Sequence, residues 1–278
     1  MIKFENVGLA SPEQMEFIIE GMRNPMNSWE KSDSYTGHEY MGTGNEYFKL
    51  GENDSSLMQR LSIAGTVHRK YMRMMPVYVR ITAPLYWWKE FDTYKVGTVA
   101  NSCSTMHKIT AKEFTMDDFS CEHLGIFIPA EKNDGVEDYK NLWIAALEEI
   151  IDYLNVARTF YNRETDPKLK KDYWWQMIQL LPSSYNQTRN VMLNYEVLAN
   201  IYRQRKNHKL DEWREFCKWI EGLPYSELII VEKTFGCFSP MLEPGYEHIQ
   251  NKCINPDVGR ISDQVSKDDL EILCETRR

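Results

Sequence analysis

The chain has 278 residues, 42% of them hydrophobic, and a formal net charge of −8. This composition excludes a disordered chain, and the acidic balance argues against broad nucleic-acid binding. No apolar run reaches the roughly 18 residues of a membrane span, and the start lacks the basic and apolar regions of a signal peptide. We therefore expect a cytoplasmic protein that binds neither a membrane nor nucleic acid.

Helix and strand patterns alternate in the first third of the chain. The predicted elements are a strand over 2–7, a helix over 12–22, an ordered loop over 24–53, a helix over 56–70, a strand over 77–82 and a helix over 85–95. The first helix begins at Ser11, with Pro12 in its first turn and Gln14 in a capping position. Asn53-Asp54-Ser55 is expected to cap the second helix, and Ala83-Pro84 ends the alternating strand.

The rest of the chain is predicted to be mainly helical. Residues 116–137 look irregular, with room for a short strand at 125–128, and helices are predicted over 138–162, 190–205 and 209–221. The first of these has one apolar stripe, formed by Trp143, Leu147, Ile150, Leu154, Ala157 and Tyr161. The last has one apolar face, formed by Trp213, Phe216, Cys217 and Ile220. We expect a single α+β domain over 1–237 and a C-terminal arm over 238–278.

The predicted helix over 190–205 carries polar side chains on two faces. Asn194 and Arg205 are eleven residues apart, almost three turns, so they lie nearly in line. Glu196 and Asn200, four residues apart, share another face. A helix with two polar faces and apolar residues between them suits a subunit interface.

The order Leu181-Pro182, Asn194, Asn200 and Arg205 resembles the ligand-binding helix of flavin-dependent thymidylate synthases. Upstream, His68 stands sixteen residues before Pro84, which is similar to the spacing of a flavin-contacting histidine in that family. The resemblance covers about residues 60–220. It implies an α+β fold in which helices pack on a small mixed or antiparallel sheet, and a homotetramer assembled through helices.

The family's signature, Arg-His-Arg-x-x-Ser-x-Asn-Glu-x-Ser, is strongly altered in this chain. In an ungapped match, Thr93, Tyr94 and Lys95 replace Arg-His-Arg, and Asn101 and Cys103 replace Glu and Ser. A one-residue insertion instead places Asn101 on the motif's Asn and Ser104 on its Ser, and both registers stay open. Two further arginine positions differ as well, because Glu196 and Ile178 stand where the family usually has arginine.

The resemblance implies reductive methylation of dUMP, or of a related pyrimidine nucleotide, by FAD with methylenetetrahydrofolate and NADPH as co-substrates. The implied flavin-binding residues are His68, Lys95, Asn194 and Asn200. The implied substrate-binding residues are Arg205, which grips the phosphate, Glu90 and Ser102. Ser104 and Asn101 are the catalytic candidates, and no metal is implied. The alternative is a nucleotide-binding scaffold of the same fold that has lost flavin chemistry.

Some of these residues also allow other chemistries. Cys103, His107, Cys121 and His123 are a candidate zinc set, and Cys103 alone is a candidate nucleophile. Buried thiols and unrelated histidines are the commoner outcome for such residues. Several aromatic residues are candidates for stacking on a flavin or pterin ring, namely Tyr71, Trp87, Trp88, Trp174 and Trp175.

Overall fold

A computed structural model describes residues 2–38, 46–125 and 142–230 of the chain. The strands are β1 (Lys3–Leu9), β2 (Tyr35–His38), β3 (Glu46–Lys49), β4 (Pro76–Pro84), β5 (Val99–Ser102) and β6 (Asn186–Asn194). The helices are α1 (Pro12–Arg23), α2 (Glu52–Ile63), α3 (Leu85–Phe91), α4 (Thr105–Lys108), α5 (Leu142–Arg163), α6 (Pro167–Leu180), α7 (Tyr195–Arg205), α8 (Asp211–Glu221) and α9 (Glu227–Ile230). Helices packed on a small antiparallel sheet confirm the expected α+β class.

The main sheet has four antiparallel strands in the order β1-β4-β6-β5. Its centre is the pairing of β4 with β6, which runs from Pro76 opposite Asn194 to Pro84 opposite Asn186. Alternate side chains of the two central strands are buried on one face, namely Val77, Val79, Ile81, Ala83, Val191 and Leu193. This period of two is what a strand with one face on the core requires.

The main hydrophobic core lies between that face and helices α1, α3, α7 and α8. Trp87 of α3 and Trp213 of α8 are fully buried with ring centroids 4.8 Å apart, and Phe216 packs beside them. The predicted apolar face of the helix over 209–221 is confirmed, and Gly222 is its C-cap. The ring cluster anchors α8 because each aromatic side chain removes a large apolar area from water.

A second hydrophobic cluster lies where α5 packs against α6. Leu147, Leu154 and Ala157 of the predicted stripe are buried there, together with Met177 of α6. The stripe prediction is wrong at Trp143, whose side chain is 60% exposed. Helix α6 was not predicted, although Asp166 caps its first turn and Pro167 is its first residue.

The single helix predicted over 190–205 is wrong. Residues up to Asn194 form β6, and α7 begins only at Tyr195. The nine pairs with β4 hold the segment extended, and this long-range pairing overrides the local helical pattern. Asn194 and Arg205 therefore do not lie along one helix face, and the buried apolar side chains of α7 pack into this chain's own core.

Several predicted boundaries also shift. Helix α2 begins at Glu52 and ends at Ile63, so Asp54 lies inside it and His68 lies in the turn that follows. The predicted loop over 24–53 contains the hairpin of β2 and β3. The described residues all belong to one compact unit. The predicted arm over 238–278 and nearly all of the predicted strand at 125–128 lie outside the described residues.

Within the described part of the chain, no helix combines the length and the low polarity that crossing a membrane requires.

Candidate functional site

The first candidate site centres on the guanidinium of Arg205 at the end of α7. Its Nε donates to the Tyr94 hydroxyl at 2.8 Å, and Nη1 donates to Glu90 Oε2 at 2.8 Å. The Trp213 indole nitrogen donates to the same carboxylate oxygen at 2.8 Å, and the guanidinium lies 4.7 Å from the Trp213 ring centroid. Two of the predicted substrate-binding residues, Arg205 and Glu90, are thus brought together as an ion pair.

A chain of hydrogen bonds extends this group along α7. The Tyr94 hydroxyl donates to Gln204 Oε1 at 2.9 Å, and Gln204 Nε2 donates to Asn200 Oδ1 at 3.0 Å. Asn200 was predicted as a flavin-binding residue and is exposed at the surface of α7. These hydrogen bonds connect Asn200 to Arg205 through Gln204 and Tyr94, to which the sequence assigned no ligand-binding role. We call Glu90, Tyr94, Asn200, Gln204 and Arg205 the Arg205 network.

The second candidate site surrounds the carboxylate of Glu196. Arg69 Nε donates to Glu196 Oε1 at 3.2 Å, and Arg73 donates to Oε2 through a very short contact. Burial raises the pKa of Glu196, but the hydrogen bonds from Arg73 and Arg69 outweigh burial and leave the pKa below its ordinary value. Burial and the charge of Arg69 lower the pKa of Arg203, whose Nε donates to Ala199 O at 3.2 Å. Two guanidinium groups thus bind one carboxylate, and we call Arg69, Arg73 and Glu196 the Glu196 cluster.

His68 directly precedes Arg69 and is half-buried in the turn before the cluster. Its backbone nitrogen donates to Gly65 O at 3.1 Å. Glu196 stands where the resemblance expects an arginine. Arg69 and Arg73, from another part of the chain, supply positive charge at that place.

Asn194 caps helix α7. Its Oδ1 accepts from Val197 N at 3.0 Å, and its Nδ2 donates to Gly97 O at 3.5 Å. Gly97 has a φ of 77°, and a Cβ there would lie 2.9 Å from both Asn194 Nδ2 and Val197 Cγ2. The carboxamide of Asn194 therefore connects the loop before β5 to the start of α7, and flavin contact by Asn194 stays a prediction.

The remaining candidates lie on or near β5, an edge strand of the sheet. Asn101 pairs with Asn190 and Ser102 pairs with Arg189 in the antiparallel register. Ser104 caps the short helix α4, where its hydroxyl oxygen accepts from His107 N at 3.1 Å. Asn101, Ser102, Ser104 and Lys95 are all exposed.

The metal alternative and most of the stacking alternatives are wrong. Among the described residues, no three His, Cys, Asp or Glu side chains come together as metal ligands, and His123 instead contacts Asp211 at 3.0 Å. Tyr71, Trp87 and Trp88 are buried in the main core, so they cannot stack on a ligand. Cys103 is exposed just after β5.

The sequence did not single out the partners that define both sites. Tyr94 contacts Arg205, and Arg69 and Arg73 contact Glu196, across separations of more than a hundred residues, whereas Trp213 lies on the next helix after Arg205. One signal was available: a lone glutamate in the place of an arginine needs a cation nearby when it is partly buried. Arg203 and Arg205 were nearer to Glu196 in the sequence, so the sequence alone did not indicate Arg69 and Arg73.

The sequence matches no protein-family model and no curated protein. The fold is similar to that of thymidylate synthase X from Helicobacter pylori with FAD and dUMP, at 14% identity and a TM-score of 0.52, covering 82% of this chain and 96% of that one. A second structure of that enzyme, described as flavin-dependent, has a TM-score of 0.51 at 14% identity, with 82% and 97% covered. The UMP/dUMP methylase PolB from Streptomyces cacaoi, bound with 5-Br dUMP, gives 0.50 at 13% identity, with 80% and 88% covered. The chain therefore has the fold of flavin-dependent thymidylate synthases, as the sequence resemblance implied.

Proposed function

We propose that this chain binds a pyrimidine nucleoside monophosphate and methylates it as a flavin-dependent thymidylate synthase-like enzyme. The observation that carries the proposal is the Arg205 network, which assembles a cation, a carboxylate and amide groups in the segment that resembles the family's nucleotide-binding helix. Solved proteins of the same fold hold dUMP or a brominated analogue. A dUMP-like nucleotide is therefore the ligand to test first.

Arg205 is the proposed phosphate anchor. Its Nε and Nη1 are engaged by Tyr94 and Glu90, and the part of the chain that the structure describes offers no hydrogen-bond partner to Nη2. A guanidinium held over an aromatic ring keeps its donors in a fixed plane, which favours phosphate recognition. A phosphate at Nη2 would stand near the Glu90 carboxylate, so Glu90 weakens phosphate binding while it orients the arginine.

Calorimetry with dUMP, dCMP and dTMP tests this anchor. Arg205→Ala should weaken dUMP binding about tenfold or more, because a charge-assisted hydrogen bond contributes roughly 1.5–3 kcal/mol. Arg205→Lys should recover only part of the affinity, since the planar fork is lost. Equal affinity in wild type and Arg205→Ala would place the phosphate elsewhere.

Glu90→Gln separates two roles of Glu90. The amide keeps an oxygen that can accept from Trp213, and it removes the negative charge near the phosphate. If Glu90 only orients Arg205, dUMP should bind more tightly to Glu90→Gln than to wild type. If Glu90 instead accepts a hydrogen bond from the base, as its prediction as a substrate-binding residue requires, the affinity should fall.

FAD is the proposed cofactor, with methylenetetrahydrofolate and NADPH as co-substrates. When bound, reduced flavin supplies the hydride and carries the transferred methylene, so the protein mainly positions ligands. The Glu196 cluster fits an anionic cofactor, because two arginines bind one carboxylate in a chain whose net charge is −8. His68 lies beside the cluster and Asn200 is exposed for hydrogen bonding. Lys95 would add a further positive charge.

Asn101 and Ser104 are the proposed catalytic residues, and Ser102 is a proposed contact to the substrate. Their exposed side chains on and after the edge strand β5 offer neutral donors and acceptors to a base or a ribose. The oxygen of Ser104 accepts from His107 N, which leaves its hydroxyl proton to be donated.

We also propose that the protein is a homotetramer whose ligand sites are shared between subunits. We propose that it is cytoplasmic, with residues 1–237 as one domain and residues 238–278 as an arm.

The colour of the purified protein separates the enzyme from the alternative. Yellow absorbance at flavin wavelengths, or FAD uptake by the colourless protein, supports the enzyme. A protein that binds dUMP and has no affinity for FAD or FMN would be the diverged nucleotide-binding scaffold. Arg73→Ala should weaken FAD retention if the Glu196 cluster receives the cofactor, whereas Arg60→Ala on the outer surface of α2 should leave it unchanged.

A further inference from the structure

A small cavity of about 240 Å³ lies between one face of α1 and the segment that follows this helix. Residues three and four positions apart on a helix share one face, and this spacing relates the α1 residues that line the cavity. None of the residues proposed to bind nucleotide or flavin lines it. Its lining includes Glu16, Ile19, Glu20 and Arg23 of α1, and Trp29 and Ser32 of the following segment.

Arg23 brings a buried donor to this cavity. The residue is only 4% exposed, its Nε donates to Asp54 Oδ1 at 2.6 Å, and its Nη1 donates to Ser28 O at 3.2 Å. Nη2 has no hydrogen-bond partner within the described residues. Because an unmade hydrogen bond of a buried charged group is costly, this nitrogen favours a ligand atom that accepts. A carboxylate is the strongest acceptor of that kind.

Two carboxylates border the same cavity. Glu16 and Glu20 are exposed and four residues apart on α1, where like charges repel each other. Glu16 Oε1 accepts from Thr36 N at 2.7 Å, whereas the part of the chain that the structure describes gives the Glu20 carboxylate no partner. A cation bound between the two carboxylates would remove this repulsion.

Trp29 supplies an aromatic wall. The residue is 47% exposed, yet its indole nitrogen is fixed by a hydrogen bond of 2.8 Å to Asn24 Oδ1. The ring is therefore held in place beside the cavity. The face of an indole ring attracts an ammonium group, and the attraction adds to that of nearby carboxylates.

We propose that this cavity binds a small zwitterion of the α-amino acid type. The ligand's carboxylate accepts from Arg23 Nη2, and its ammonium group lies between Glu16 and Glu20 and against the Trp29 ring. The volume holds about eight groups the size of a water molecule, at roughly 30 Å³ each, which fits an amino acid with a small side chain. Because Asp54 already neutralises Arg23, the two glutamates leave the cavity negative, and a ligand that is only an anion is disfavoured.

This inference does not rest on the proposed function, because the cavity shares no residue with the nucleotide and flavin sites. Calorimetry on the full chain tests it with L-alanine, ethylammonium and propionate. Ethylammonium is alanine without its carboxylate, and propionate is alanine without its ammonium group. We expect L-alanine to bind at least about tenfold more tightly than either fragment, because only the zwitterion satisfies the buried donor and the two carboxylates together. L-alanine that binds no more tightly than a fragment would overturn the proposal, as would the absence of measurable binding.

Variants of the lining locate the site. Glu20→Gln removes one negative charge and Trp29→Leu removes the ring, so each should weaken L-alanine binding by about tenfold. Glu30→Gln is the matched control, because Glu30 is an exposed glutamate beside Trp29 that does not line the cavity. It should change the affinity by less than about twofold, since an exposed charge outside the site is screened by solvent. Arg23 is kept in all variants, because its loss would leave Asp54 buried without a counter-charge.

Circular dichroism would confirm that the three variants fold. Equal affinity for L-alanine in wild type, Glu20→Gln and Trp29→Leu would place the ligand elsewhere and overturn the proposal. An equal loss in Glu30→Gln and Glu20→Gln would do the same, because the effect would then come from net charge alone.

Discussion

Asn194 shows how one side chain can serve the fold in a position that resembles a ligand site. It is 9% exposed, and both ends of its carboxamide are used, at Val197 N and Gly97 O. We expect Asn194→Ala to lower the free energy of unfolding by about 0.5–2 kcal/mol, because the first turn of α7 loses its cap. Urea unfolding monitored by circular dichroism measures this.

The matched control is Asn194→Asp, which keeps an oxygen that can accept from Val197 N. It should retain most of the stability and lose only the bond to Gly97. If flavin retention falls in Asn194→Ala and not in Asn194→Asp, the cap explains the loss. If it falls equally in both, the amide nitrogen contacts the cofactor, as the sequence resemblance implies.

Glu196 contributes stability that depends on pH. Burial raises its pKa, but the hydrogen bonds from Arg73 and Arg69 lower it by more, so the folded-state pKa lies below the ordinary value of 4.5. A group with a depressed pKa stabilises the fold above its unfolded pKa and loses that contribution as pH falls through the folded pKa. We expect Glu196→Gln to unfold more easily than wild type at pH 7, by roughly 1.5–3 kcal/mol. The gap should narrow below pH 4.5.

Thermal unfolding across pH 3 to 7 would reveal this narrowing. A difference in stability between wild type and Glu196→Gln that stays constant over that range would mean that the carboxylate charge does not stabilise the fold.

Arg205 shows which contacts the sequence alone does not predict. The residue itself can be identified from its place after Asn194 and Asn200, but Tyr94 and Trp213 reach it from elsewhere in the chain, and no local pattern predicts such contacts.

At the scale of elements, local patterns succeed where they agree with the tertiary contacts. Helix α8 was predictable because its apolar face, from Trp213 to Ile220, is the face that enters the core. The predicted helix over 190–205 includes the second half of strand β6, because the residues that follow it favour helix α7. The alternation of Asn190 and Met192 with buried Val191 and Leu193 was the available signal for a strand. The pairing of β2 with β3 was not predicted, because residues 24–53 contain many residues typical of turns and no clear alternation of apolar and polar side chains.

One buried ion pair ties three N-terminal elements together. Arg23 of α1 donates to Asp54 of α2 at 2.6 Å, and Ser32 and Ser34 from the segment between them donate to the same carboxylate at 2.7 and 2.6 Å. Burial raises the pKa of Asp54, but the serine and arginine hydrogen bonds bring it below its ordinary value of 3.8. We expect Asp54→Asn to cost about 3–5 kcal/mol at pH 7, because Arg23 would be left buried without a counter-charge.

Guanidinium unfolding of Asp54→Asn, with Asp33→Asn as the control, measures that cost. Asp33 accepts from the backbone nitrogens of Asn53 and Asp54 at the exposed start of α2, so its loss should cost far less. The stabilisation by Asp54 should be lost as pH falls below 3.8, in keeping with its depressed pKa. A cost for Asp54→Asn no larger than for Asp33→Asn would mean that the buried pair adds no net stability.

For the whole molecule, the fold class and the family resemblance could be predicted from the sequence. Which candidate site residues lie close together in space could not be predicted. The α+β fold follows from β4, α3, α7 and α8, whose local patterns are strong. The grouping of Arg205 with Tyr94 follows from a contact between residues far apart in the chain, which sequence patterns do not encode.

If the ligand sites are shared between subunits, assembly and nucleotide binding must be coupled. Phe160→Glu places a charge on the exposed apolar face of α5. If that face belongs to the interface that shares the site, the change should weaken both self-association and dUMP affinity. Phe17→Glu is the matched control, because Phe17 is a phenylalanine on another helix surface, 64% exposed. It should change neither quantity. Ultracentrifugation and calorimetry on the same samples measure both effects. A Phe160→Glu protein that is monomeric and still binds dUMP as wild type does would show that the nucleotide site is complete within one chain.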